Sequence, residues 1–358
     1  MDRRCFVVGL VAMPAASAVG ASTHPITAAR AQLGSESLRG GDKSTAATAL
    51  LPSGPVVSRA DGDIIENLDI NAPLGNGISV LHPRVTVRNC RIRHAAGHGV
   101  HATRAAGLVL QQLEIDHVGA RRSGPGPSYY CNNVNIEDCP DTTITRVKAS
   151  RGSSNIYTEH SERTRMSFLE LHDARGPLPR GQNVQLDASP NSVVEDFSAE
   201  NGPTSWTEDN ISVFRSDRCL IRRGFVSYNN GPTGDGVMIE GSFDCTVEDV
   251  DAVQQGNGAF AAVPEGDAGS GGCVFRRCRT RESYNTKRDG RAAPTSNSLS
   301  IYTLISPGAR KHTIADCHFY AIANPRNLVW DTNAVNPGWV FTAQEFTPRA
   351  PIRLDFGW

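Results

Sequence analysis

Lysine is almost missing from this chain of 358 residues: Lys43, Lys148, Lys287 and Lys311 are all it has. Neither sign of charge is in excess, with 36 Lys and Arg against 37 Asp and Glu, interspersed along the sequence. That excludes the basic stripe a nucleic-acid partner needs and the basic patch of a membrane-surface protein. No apolar run is long enough to remain in a bilayer, so no stable membrane insertion is expected. Nine cysteines are present, but none in the C-x-x-C spacing of a metal site. Aromatics make up only 6% while glycine is frequent, with 34 residues. Such a composition suits many short strands and tight turns better than a helical protein.

The N-terminus reads as an export signal over residues 1–21. Arg3-Arg4-Cys5-Phe6-Val7-Val8 opens it, an apolar stretch runs to Val19, and Ala16, Ala18, Gly20 and Ala21 offer cleavage points. The paired arginines resemble a twin-arginine signal, with a plain Sec signal as the alternative. Either one implies an exported protein, periplasmic or extracellular. Residues 22–55, rich in Ala, Ser, Thr, Gly and Pro, are expected to form a flexible lead-in.

A segment then recurs at intervals of roughly two dozen residues, the mark of a solenoid. Val85–Ile92 aligns with Leu108–Ile115, and the same spacing continues to Phe319. One column holds Val87, Leu110, Ile144, Met166, Val194, Ile221, Val247, Phe275 and Ile314. Three places on come Cys90, Leu113, Val147, Leu169, Phe197, Gly224, Val250, Cys278 and Cys317. A third column begins at Ile92 and ends at Phe319. No helical period of 3.6 competes with this ladder. The fold expected is all-β: a single-stranded right-handed parallel β-helix of about nine to ten coils over residues 56–325. A C-terminal cap over 326–358, carrying Trp330, Trp339, Phe341, Phe346 and Phe356, would close it.

Cys219, Cys245 and Cys273 share one column, and Cys90, Cys278 and Cys317 another. Coils about 4.8 Å apart lie inside disulfide range. Stacked side chains point in parallel, however, so free buried fillers are preferred over bridges.

A shorter strand precedes each repeat, as in Val134-Asn135-Ile136, Ile156-Tyr157-Thr158 and Ala259-Phe260-Ala261. Alternation turns the middle residue outward. Gly77, Gly99, Asn133, Asn155, Asn183, Asn210, Gly236 and Gly258 stand just before these triplets. They suit a left-handed corner, and the four Asn side chains can also hydrogen-bond up the stack. Insertions such as Ala120–Cys131, Arg175–Gln182 and Ser283–Asn297 fall before the first strand, where they would wall a groove along its outer face.

The groove's outward residues include His101, Tyr157, Gln185, Phe214, Phe260, Tyr302 and Glu240. With Arg180 and Arg215 beside them, His101, Tyr157, Gln185, Phe214 and Glu240 are candidate substrate contacts, the aromatic rings for stacking on sugars. Glu137, Glu159 and Asp187 stack on three consecutive coils. Like charges this close repel unless a cation lies between them, and an all-oxygen set suits Ca²⁺. A carboxylate ladder relaxed by water is the other reading. Asp209 and Asp235 sit on adjacent coils at the groove edge, with Glu208 beside Asp209. Paired carboxylates supply the acid and the base of glycosidic hydrolysis, so these three are the catalytic candidates. Asp235-Gly236 is equally a common turn pair.

Over residues 56–325 the repeat resembles the pectin-lyase-like superfamily of right-handed β-helices. Thr207-Glu208-Asp209-Asn210-Ile211 and Gly234-Asp235-Gly236-Val237 resemble rungs of its polygalacturonase-type glycosidases. Glu208-Asp209 matches that family's Asp-Asp rung. Asp235 stands where the family has His, Gln182 where it has Asp, and no Arg-x-Lys pair follows. The resemblance therefore implies the architecture and a polysaccharide or oligosaccharide partner, without a complete catalytic signature. The related lyases use Lys or Arg as base. Here Lys148 faces outward on the second strand, away from the groove, and Lys287 lies in a late insertion with Arg288 and Arg291. The function expected is cleavage of an acidic or complex polysaccharide by a hydrolase or lyase needing no obligatory cofactor. A non-catalytic glycan-binding β-helix of polysaccharide export or the cell envelope is the alternative. Nothing in the sequence fixes an oligomeric state.

Overall fold

A computed structural model of the protein describes residues 49–122, 124–177, 179–202, 205–229, 234–255, 258–281, 299–320, 329–330, 335–341 and 345–358. Every pairing between strands in it is parallel, as in Ile156–Glu159 with Val184–Asp187 and Thr86–His94 with Val109–His117. The strands form two long sheets. Sheet 1 takes the first strand of each coil, including Val134–Glu137, Ile156–Glu159, Val184–Asp187, Ile211–Phe214 and Asp235–Glu240. Sheet 2 takes the second strand, from Leu51–Ser53 through Thr86–His94 to Thr313–Tyr320. The chain is a right-handed parallel β-helix.

The three apolar columns are the core. Val87 pairs with Leu110, Cys90 with Leu113 and Ile92 with Ile115, all buried. The spacing of three and then two places has a local cause. In each coil, sheet 2 contains one residue in the left-handed region just before the second column: Asn67, Asn89, Gln112, Arg146, Phe168, Asp196, Arg223, Asp249, Arg277 and Asp316, with φ between 51 and 61°. That kink inserts one extra outward residue and bends the strand around the core. Gly224 replaces a larger residue in the second column because the Phe197 ring fills its place. A Cβ there would lie 2.1 Å from Phe197 Cζ.

The glycine and asparagine corner works differently from the expected left-handed turn. Asn133, Asn155, Asn183 and Asn210 are absent from the left-handed residues of the chain. Their buried side chains run up the stack instead. Asn133 Nδ2 donates to Asn155 Oδ1 at 2.7 Å, Asn155 Nδ2 to Asn183 Oδ1 at 2.6 Å, and Asn183 Nδ2 to Asn210 Oδ1 at 3.0 Å. His94, stacked on His117, extends the ladder with a ring nitrogen 2.7 Å from Asn133 Oδ1. Gly99 belongs to the same column for lack of space, since a Cβ would stand 2.5 Å from Ile115 Cγ2.

One triplet shifts by a residue. Val237 pairs with Phe260 and Met238 with Ala261. Phe260 therefore points inward, fully buried, 6.2 Å from Phe275 between ring centroids. It is a core residue and not a sugar platform. In an Ala-Phe-Ala-Ala stretch only the phenylalanine has much apolar surface to bury, so it decides the frame. All eight described cysteines are free and buried. Lys148 faces outward on sheet 2, 3.4 Å from Glu170.

Strand Val335–Phe341 adds to sheet 2 beside Thr313–Tyr320; the side chains of Trp330, Trp339 and Phe341 lie outside the described residues. Residues 345–358 do not cover the last coil. They run back along the outer face of sheet 2 as a strap, and none of the fourteen is buried. Glu345 pairs with Arg281, and Phe346 lies 4.6 Å from Arg279. The Arg349 N–H donates to Asp251 at 2.7 Å, and Arg353 pairs with Glu200. The Leu354 N–H donates to Glu170 at 2.6 Å, and the Trp358 indole reaches Glu114 at 3.3 Å.

Candidate functional site

The outer face of sheet 1 brings most of the candidate residues together. Glu137, Glu159 and Asp187 pair in register on three consecutive strands, each half-buried. Asn135 Nδ2 donates to Glu137 Oε1 at 2.8 Å. The Tyr157 hydroxyl lies 3.1 Å from Glu159 Oε2 and 3.1 Å from Asp187 Oδ2. Protein donors, then, already stand within this row. Among the described residues, no three His, Cys, Asp or Glu side chains converge as a metal cage. The carboxylates form a line.

Tyr157 is 2% exposed, and the Arg180 guanidinium covers its ring with Cζ 3.6 Å from the centroid. A sugar cannot stack on that face while Arg180 holds it. Burial, with the Asp187 and Glu159 charges, pushes the Tyr157 phenol up against the opposing pull of Arg180, so the hydroxyl stays protonated. Gln185 and Ser212 follow in the same outward column and are buried; Gln185 Oε1 and Ser212 Oγ have no hydrogen-bond partner. His101 is half-buried at the other end of the column, with its ring 5.2 Å from His98. Burial, then the charges of His101, His94 and Arg180, pushes His98 down to about 3, so it is neutral at ordinary pH.

Phe214 and Glu240 continue the carboxylate row on the next two strands, both half-buried. Arg215 follows Phe214, with its guanidinium 5.2 Å from that ring's centroid. It sits exposed in the turn after its strand, at φ 48°, and lines an open depression of about 460 Å³ with Asp217, Phe243 and Asp267.

The second acidic group is compact. The Asp235 N–H donates to Asp209 Oδ1 at 2.9 Å, which joins the two coils. Gln182 Nε2 donates to Glu208 Oε2 at 2.9 Å, and Gln182 Oε1 accepts from the Ser154 hydroxyl at 2.8 Å. Gly234 packs on the Glu208 carbonyl so closely that a Cβ would stand 1.7 Å from it. Burial, followed by the charges of Glu208, Glu240 and Asp235, raises the Asp209 carboxyl well above its ordinary range. Asp209 is 3% exposed and Asp235 is fully enclosed.

One feature of the groove wall has no place in the sequence-based site. Tyr129 and Tyr130, in the insertion after Gly119, expose adjacent rings 4.0 Å apart. An adjacent tyrosine pair inside a Gly-Pro-Ser loop was the available signal. Lys287, Arg288 and Arg291 lie outside the described residues, as does the whole Ser283–Asn297 insertion.

No protein-family model matches the sequence, and no curated protein matches it. Among solved structures the chain is similar to the Dettilon tailspike protein, with a TM-score of 0.54 and 12% identity over 82% of this chain and 58% of that one. It is also similar to the catalytic domain of a GH87 α-1,3-glucanase in complex with tetrasaccharides, with a TM-score of 0.54 and 10% identity over 80% and 54%. The chain spans a little over half the length of either. Likeness at this identity establishes the shared parallel β-helix.

Proposed function

We propose that the protein is exported and cleaves a polysaccharide by hydrolysis at the edge of the sheet 1 groove. The observation that carries this is the buried Asp209 carboxyl, bonded by the Asp235 N–H and raised well above its ordinary range by burial and by the charges of Glu208, Glu240 and Asp235. Glycosidic hydrolysis needs an acid that still holds its proton at working pH and a carboxylate that has lost one. Asp209 supplies the proton to the leaving oxygen. Asp235 is enclosed, so it acts on Asp209 through its backbone N–H and its charge and not on the sugar. Glu240, half-buried on the outward face, is the carboxylate left to activate water. This chemistry requires no cofactor. Structural likeness to a glucanase that binds tetrasaccharides supports a glycan partner. The arginine pair at Arg3-Arg4 supports export.

The test is release of reducing ends from a panel of neutral and charged polysaccharides. Asp209→Asn and Glu240→Gln should each lower it by about 10²–10⁴-fold. Asp235→Asn should retain cleavage but shift its upper pH limb downward, because one charge that holds the Asp209 proton is gone. Full activity in Asp209→Asn removes the assignment. Unsaturated ends in place of reducing ends mark a lyase, and binding without new ends marks a glycan-binding protein.

A further inference from the structure

We propose that Arg180 is a displaceable plug on a pyranose-binding subsite, with the Tyr157 ring as its platform and Gln185 as its acceptor. The proposal rests on the reading of this groove as a glycan site and names one subsite and the residue that closes it. Tyr157 lies in the outward column of sheet 1 and is yet only 2% exposed, with the Arg180 guanidinium over its ring, Cζ 3.6 Å from the centroid. The Tyr157 hydroxyl stands 3.1 Å from both Glu159 Oε2 and Asp187 Oδ2, which anchors the ring at its far end. The platform is therefore fixed, and its cover is the part that can leave.

That cover is weakly held. Among the described residues the Arg180 side chain has no ion pair and no hydrogen bond, and its Nε is buried without a partner. An unmatched buried N–H opposes the stacked arrangement, so the cation–π contact is what keeps it closed. The backbone beside it is tied down. The Arg180 N–H donates to Pro177 O at 3.0 Å, and the Glu208 N–H to Gly181 O at 2.9 Å. Opening thus requires rotation of one side chain and leaves the insertion in place. Gln185 pairs in register with Tyr157 on the next coil, and its buried Oε1 accepts no hydrogen bond. A buried acceptor left unmatched calls for a donor, and a sugar hydroxyl is sufficient. A pyranose brings both groups this pair of residues can use: a C–H face for the aromatic ring and hydroxyls at its edge for the amide. The flat guanidinium occupies the place of that C–H face.

Two measurements on the full chain test this. Hydroxyl-radical footprinting reads the ring without any glycan: Tyr157 should be protected in the wild type and oxidised in Arg180→Ala. Calorimetric titration with hexamers of glucose, mannose and N-acetylglucosamine reads the subsite. All three are neutral, so loss of the arginine charge does not act on them directly. A hexamer that the wild type binds should bind Arg180→Ala about 3- to 30-fold more tightly, because the cation–π contact no longer has to be broken first. In the Arg180→Ala background, Tyr157→Phe should keep that gain and Tyr157→Leu should remove it, with thermal melting confirming the fold of each. The proposal is overturned if Tyr157 stays protected in Arg180→Ala, or if that variant binds the hexamer no better than the wild type. Weaker binding would make Arg180 a sugar contact and not a plug. Failure of wild type and variant alike to bind any hexamer also overturns the subsite, whereas the glycan-site reading itself falls only if no polysaccharide of the panel is bound or cleaved.

Discussion

Asp209 and Gly224 show how much a single position in a stacked coil depends on the coils beside it. The Asp209 carboxyl is raised because burial and three neighbouring acids oppose its ionisation. Its folded value therefore lies above the unfolded value of about 3.9, and the folded state binds more protons between the two. Stability must then fall as pH rises through that window. Asp209→Asn should remove the slope and leave the protein more stable at neutral pH, as read from denaturant unfolding at two pH values. Cleavage by the same variant should drop by about 10²–10⁴-fold. A site residue whose removal stabilises the fold is kept for chemistry, so a neutral-pH loss of stability in Asp209→Asn would count against the acid role. Gly224 is the opposite case, a residue kept for space. Gly224→Ala drives a methyl into the Phe197 ring and should cost about 1–3 kcal/mol in the same unfolding measurement, with no change in glycan binding.

At the scale of the element, the buried Asn ladder ties the first strands of successive coils through side chains as well as backbone. Asn183 donates to both Asn201 and Asn210 and accepts from Asn155. Asn183→Ala should destabilise the helix by about 1–3 kcal/mol for each neighbour left unsatisfied, seen as a lower unfolding midpoint. Asn183→Asp should be worse, because it buries a charge. The ladder was legible in the sequence because asparagine recurs in one column, and the three columns of sheet 2 were legible because large apolar residues fix their frame. The left-handed kink was visible only as an odd spacing, since its residues range from Asn67 to Phe168 and Arg223 and share no side-chain type. The frame was lost at Ala259–Ala262, where small residues carry no inward signal. The candidate site was legible by column but not by depth. Whether Tyr157 or Asp235 meets solvent is decided by insertions such as the one carrying Arg180, which follow no repeat.

For the whole molecule the decisive element is the C-terminal strap, for which the repeat gave no register. Residues 345–358 cross the outer face of sheet 2 from Arg279–Arg281 back to Val109–His117, held by ion pairs and backbone contacts on the way. A solenoid is held chiefly by contacts between neighbouring coils, so an end can fray without the rest. A strap that touches many coils couples them. Its ion pairs, Arg281–Glu345 and Arg353–Glu200, are partly exposed, so each is worth at most about 1 kcal/mol and is weakened by salt. Burial by itself would raise the Glu170 carboxyl. The Leu354 N–H, then His172 and Lys148, outweigh burial and hold it below its ordinary value. An acid with a lowered folded value gives stability that is present above its unfolded value and is lost as pH falls through the folded one. Deleting residues 345–358 should therefore lower the melting temperature by several degrees at neutral pH and low salt. The gap between the deleted and the full chain should close in about 1 M salt. It should close again on acidification below the carboxylate range, as the strap's acceptors are protonated. Equal melting of the two chains at low salt would show that the strap does not couple the coils. A gap that survives both salt and acid would mean that apolar contacts of Phe346, Ile352 and Phe356, and not the ion pairs, hold the strap in place.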